Sequence, residues 1–127
     1  MTENEISRHI VDVAYRAHLE LGPGLLESVY QAVLAMELQK RGMVVTQQQL
    51  IPVLYHGTLI EMGFRADLIV EDSVIIEVKS IAEIALVHKK QLLTYLRLSN
   101  KRLGLLINFN VARIKDGITR IANGLED

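Results

Sequence analysis

The chain has 127 residues, the size of one ordinary domain, with 14 basic and 15 acidic residues and a net charge of −1. Half of it is hydrophobic, enough for a real core, while the near-neutral balance excludes a strongly basic nucleic-acid binder, so any phosphate contact must come from a local patch. No cysteine is present, which excludes disulfides and thiolate metal sites and fits a reducing, cytoplasmic compartment. The opening MTENEISRHI lacks a basic region followed by an apolar run, so no signal peptide is expected, and no apolar stretch is long enough for a membrane span. One domain over 1–127 is the expectation.

Thr2-Glu3-Asn4-Glu5 has the form of a capping box, and Ile6, Ile10, Val13, Ala14, Ala17 and Leu21 follow at helical spacing. Gly22-Pro23-Gly24 ends this helix. A second helix is expected over roughly Leu25 to Arg41, with Val29, Val33 and Met36 on a core stripe widened by Leu26, Tyr30 and Leu34. Glu27 in its first turn suits the helix dipole, or else reaches a site as a carboxylate. Val44 to Tyr55 reads as extended, with Pro52 marking an edge strand, and His56-Gly57 reads as a two-residue hairpin turn into Thr58–Met62.

Gly63 to Ser80, GFRADLIVEDSVIIEVKS, reads as two strands around the turn Glu71-Asp72-Ser73. Phe64, Ala66, Leu68 and Val70 should share a face with Val74, Ile76 and Val78. A three-residue loop pairing Val70 with Val74 satisfies this, whereas a two-residue loop does not. In that register Asp67 lies opposite Glu77 on the same face, with Cβ atoms about 4.5–5.5 Å apart. Like charges so placed are destabilising unless something positive sits between them, and a divalent cation is the simplest such thing. Lys79, two residues beyond Glu77, shares the face. Two carboxylates and an ammonium on rigid strands point to metal-dependent phosphodiester cleavage. The bland alternative is a set of cross-strand ion pairs, Asp67–Lys79 and Glu77–Arg65.

A third helix is expected over roughly Ile84 to Leu98, placing His88, Gln91 and Tyr95 on one face, either as a polar stripe or to orient a phosphate, a water or a catalytic side chain. Leu103 to Phe109 reads as a buried strand, and Asp116-Gly117 as a turn between Val111–Lys115 and Ile118–Ala122. His9, His18, His56 and His88 show no H-x-x-x-H pairing, which argues against a zinc hydrolase. The element order makes the fold α/β or α+β with a mixed central sheet flanked by helices.

Asp67 on the second strand of a three-strand meander, then Glu77-Val78-Lys79 on the third, resembles the signature of the PD-(D/E)XK phosphodiesterase superfamily, with Ala66 where the usual Pro stands. Gln91-Leu92-Leu93-Thr94-Tyr95 looks like the Q-x-x-x-Y element of its RecB-like and Cas4-like branches. Gly24-Leu25-Leu26-Glu27-Ser28-Val29-Tyr30 is similar to the string that names the GxxExxY family, and that likeness runs through almost the whole chain. The resemblance implies a restriction-endonuclease-like core and a Mg²⁺- or Mn²⁺-dependent nuclease acting on nucleic acid. Glu27, Asp67 and Glu77 would be metal ligands and Lys79 the catalytic lysine, with Gln91, Tyr95, Tyr30, His88 and Arg65 supporting. A homodimer is expected by analogy alone. The rival from a different class is a nuclease-like module that binds nucleic acid or a protein without cutting.

Overall fold

The computed structural model describes residues 1–125. Helix α1 spans Glu3–Leu21 and opens on Thr2, whose hydroxyl oxygen accepts the Glu5 N–H at 3.2 Å. The capping box is half formed: the Thr2 hydroxyl, not its backbone, donates to the Glu5 carboxylate. Helix α2 covers Glu27–Lys40, and strands β1 (Val45–Tyr55), β2 (Thr58–Val70) and β3 (Val74–Lys79) form a meander. Helix α3 (Leu86–Ser99) crosses over to β4 (Leu103–Asn108), and a short 3₁₀ turn at Ile114–Gly117 leads into β5 (Ile118–Ala122).

The sheet order is β1-β2-β3-β4-β5, antiparallel throughout except for the parallel β3–β4 pair that α3 connects. On one face, Ile6, Ile10, Tyr30, Leu34 and Leu38 of α1 and α2 pack against Leu68, Val70, Ile76, Leu105 and Ile107. On the other, Leu92 and Leu96 of α3 pack against Ile69, Ile75 and Leu106. A single mixed sheet between two helical layers is the restriction-endonuclease-like arrangement expected above.

The turns follow from residue chemistry. His56 and Gly57 take φ of 48° and 78°, and Tyr55 pairs with Thr58, so the two-residue turn forms as its composition predicts. Val70 pairs with Val74 across the three-residue loop, in the predicted register. Gly117 is required by close approach: a Cβ there would stand 2.1 Å from the Asn108 carbonyl oxygen.

Three expectations are corrected. The core face of α2 is Tyr30, Leu34, Ala35 and Leu38, while Val29, Met36 and Leu26 are exposed. This helix is apolar around most of its girth, so periodicity did not single out the buried side. Phe64 and Ala66 belong to the α3-side cluster, whereas Leu68 and Val70 belong to the other. The alternation breaks where Gln48 adopts a φ of 52° and the β1–β2 ladder skips the Gln48–Asp67 pair. Finally, Val111–Lys115 is not a strand: the chain there turns through a 3₁₀ turn, and only Ile118–Ala122 pairs with β4.

Candidate metal and catalytic site

Beyond Leu68–Ile76 the β2–β3 ladder ends, and the Asp67 side chain takes over. Its Oδ2 accepts the Val78 N–H at 2.8 Å. The acidic group is therefore held at the mouth of the splayed strands by a backbone hydrogen bond of the partner strand. Glu77, one residue earlier on β3, is buried with only 8% of its surface exposed, and its Oε1 has no hydrogen-bond partner. Burial pushes its pKa up from 4.5 to about 9, the charge of Asp67 and a side-chain hydrogen bond with it push the same way, and the Lys79 ammonium opposes them. The two carboxyl groups thus converge, although the directly opposed Asp67–Glu77 pair that the register predicted is not part of the ladder.

Lys79 is half-buried and makes no ion pair with Asp67 or Glu77 among the described residues, nor does exposed Arg65 pair with Glu77. The bland reading of neutralising cross-strand salt bridges does not fit this geometry. Lys79 acts on Glu77 through its field, and among the described residues its ammonium has no ion-pair partner.

Two residues of α3 border the pair. Gln91 Nε2 donates to Tyr95 Oη at 2.6 Å, and the Tyr95 ring stacks on Phe64 with centroids 4.0 Å apart. Burial first, and then the Glu77 and Asp67 carboxyls, raise the Tyr95 pKa, with the Gln91 hydrogen bond opposing. The phenol therefore feels both acids. His88 serves its own helix, its Nδ1 accepting the Ala85 N–H at 2.9 Å.

Glu27 begins α2, where its Oε2 accepts the Ser80 N–H at 3.1 Å just past the end of β3, while Ser80 Oγ donates to the Leu25 carbonyl at 2.7 Å. Tyr30 holds this corner. Its buried hydroxyl donates to the Gly22 carbonyl at 2.6 Å and accepts the Leu25 N–H at 3.1 Å, with its ring stacked on Phe109. Glu27 does not join Asp67 and Glu77 in a tight triad: among the described residues no three His, Cys, Asp or Glu groups cluster closely enough to hold a metal by themselves. It is nevertheless on the same side of the fold. Gln31, one helical turn beyond Glu27, accepts from Gln48 Nε2 at 2.8 Å, and the same Nε2 lies 3.4 Å from Asp67 Oδ1. An open cavity of about 640 Å³ lined by Gly24–Ser28, Ser80 and Asn110 adjoins Glu27.

Sequence reasoning missed Ser80, Asn108 and the Gln31–Gln48 link. Buried Asn108 at the end of β4 accepts the Ile81 N–H at 3.1 Å and donates to the Ile81 carbonyl at 2.9 Å, fixing the segment after Lys79. A polar residue closing the apolar run LGLLIN was the available signal. Gln48, inside Gln47-Gln48-Gln49 on an edge strand, offered none.

The donor set, an orphaned buried carboxyl oxygen beside a second carboxyl, fits a hard divalent cation that takes oxygen ligands. A family model described as the PD-(D/E)XK nuclease superfamily matches residues 4–121. The crystal structure of SSO0001 superposes with a TM-score of 0.56 at 25% sequence identity, over 98% of this chain and 60% of that one. The chain thus spans less than two thirds of that neighbour's length. No curated protein matches the chain significantly.

Proposed function

The chain belongs to the PD-(D/E)XK nuclease superfamily, and from that premise we propose that it is a Mg²⁺- or Mn²⁺-dependent phosphodiesterase that hydrolyses nucleic acid. The observation that carries the reading is Glu77: a buried carboxyl with a partnerless oxygen, pushed to a pKa of about 9 beside Asp67, is a place that a divalent cation would relieve. When bound, that cation would supply Lewis-acid polarisation of a phosphoryl oxygen and a lowered pKa for a coordinated water.

Asp67 and Glu77 are the ligands that we assign to it. Glu27, at the same corner through its contact with Ser80, would complete the shell through water. Lys79, unpaired and on the same strand, stabilises charge on the phosphoryl oxygens or positions the attacking water. Gln91 and Tyr95 orient these groups, and Tyr30 holds the corner from which Glu27 projects. Within the superfamily, the Gly24–Tyr30 string supports a reading of the chain as a GxxExxY protein.

The test is a cleavage screen on single- and double-stranded DNA and RNA with Mg²⁺ or Mn²⁺, beside Lys79→Ala. Cation-dependent cleavage by wild type, lost in the variant, supports the reading. Cation binding and nucleic-acid binding without turnover would replace it with the non-cleaving module.

A further inference from the structure

Gln48 stands across the β1–β2 ladder from Asp67, in a backbone conformation foreign to a regular strand. Gln47 pairs with Leu68 and Gln49 with Ala66, so no residue is inserted, yet the ladder omits the Gln48–Asp67 pair and Gln48 takes a φ of 52°. A residue with a Cβ adopts that left-handed region at a cost, and Gly and Asn tolerate it best. Packing does not demand Gln here, because Gln47, Gln48 and Gln49 are all exposed. The Gln48 side chain does have two partners. Its Nε2 donates to Gln31 Oε1 at 2.8 Å and to Asp67 Oδ1 at 3.4 Å. A two-proton donor between two acceptor oxygens has a specified orientation: turned over, the amide would aim its own oxygen at both.

The consequence falls on Asp67. Its Oδ2 already accepts the Val78 N–H at 2.8 Å, so with Oδ1 on Gln48 both oxygens are held and the plane of the carboxylate is set. Each oxygen keeps a second lone pair free. Gln31 follows Glu27 by one turn on the same face of α2. The Gln48 amide therefore ties the helix that carries Glu27 to the strand that carries Asp67. We propose that Gln48 is a positioning residue of the candidate metal site, which sets the plane of the Asp67 carboxylate and, through Gln31, its separation from Glu27. The proposal rests on the reading of Asp67 as a metal ligand. Partners that orient a metal-ligating side chain typically contribute roughly 10–100-fold in metal affinity.

Two substitutions separate the Gln48 side chain from the kink in its backbone. Gln48→Gly and Gln48→Asn both supply a residue at ease at positive φ, but Gly has no amide and Asn is too short to span both partners. Mn²⁺ affinity is read from the electron paramagnetic resonance of the free ion, and the denaturant midpoint is read without cation. Both variants should keep or exceed the wild-type midpoint and bind Mn²⁺ roughly 10-fold more weakly. Gln31→Met, which removes the acceptor that aims Gln48, should weaken binding in the same direction by less; wild-type affinity there would overturn the tie to α2. Asp67→Asn is the control. If it binds Mn²⁺ as tightly as wild type, Asp67 is no ligand, and the proposal falls with that reading. If it loses binding while both Gln48 variants match wild type, Asp67 remains a ligand and Gln48 does not position it. A lowered midpoint in both Gln48 variants would make Gln48 a structural strand residue, which also overturns the proposal.

Discussion

Glu77 couples the candidate site to pH. Its folded pKa of about 9 lies above the ordinary 4.5, so the folded state retains a proton that the unfolded chain releases. The associated stability is complete below about pH 4.5 and is lost as pH rises toward about 9, at up to about 1.4 kcal/mol per pH unit. Without divalent cation, the denaturant midpoint should therefore fall from pH 5 to pH 9, and Glu77→Gln should flatten that slope. Parallel slopes for wild type and variant would remove Glu77 as its source. Mn²⁺ binding near pH 7 should release about one proton, read by calorimetry in buffers of different ionisation enthalpy. Lys79 is testable at the same scale. Lys79→Ala should fold, bind Mn²⁺ at least as tightly and lose roughly 10²–10³ in cleavage rate. Lys79→Arg should rescue only in part, because a planar fork does not place a compact charge at the same point. A Lys79→Ala rate above about a tenth of wild type, a barrier change under about 1.4 kcal/mol, would take Lys79 out of the mechanism.

At the scale of elements, the corner between α1 and α2 decides where Glu27 points. Tyr30→Phe keeps the ring stack on Phe109 and removes only the hydroxyl that joins the Gly22 carbonyl to the Leu25 N–H. The expected loss is about 1–3 kcal/mol by chemical denaturation, with cleavage falling further than stability if Glu27 takes part. Equal stability of variant and wild type would mean that water replaces the hydroxyl without penalty. The Val70–Val74 register was readable from the turn composition of Glu71–Ser73, although both faces of these strands are buried, and the His56-Gly57 turn because few residues tolerate two positive φ angles. The register brought Asp67 and Glu77 toward each other, but the ladder stops at Leu68–Ile76 and Asp67 reaches Val78 through its side chain instead of pairing with Glu77. The α2 face was not readable, since Val29, Val33 and Met36 are as apolar as Leu34 and Leu38, and tertiary packing alone chooses between them. Nor was the Gln31–Gln48–Asp67 chain, which depends on a strand residue at positive φ and on a helix docking against an edge.

At the scale of the whole molecule, the two helical layers and the sheet hold together strands that the Asp67–Glu77 pair works to separate. The core on either side of β3, Ile75 and Leu92 on one face and Ile76 and Leu105 on the other, supplies the apolar burial that offsets the cost of an unpartnered carboxyl oxygen. A fold that retains such a pair is less stable than the same fold without it, which is the usual relation between a binding site and its scaffold. Asp67→Asn tests this directly. The amide oxygen can still accept the Val78 N–H, so the splayed end of β2 and β3 keeps its tie, while the charge that disfavours ionised Glu77 disappears. Without cation, at pH 8, Asp67→Asn should melt a few degrees above wild type, corresponding to about 1 kcal/mol. With saturating Mn²⁺ the order should reverse, because wild type gains binding free energy that the variant cannot. A variant that melts below wild type without cation would mean that the Asp67 carboxylate holds the strands together. An equal Mn²⁺-induced shift in both proteins would mean that the cation binds elsewhere.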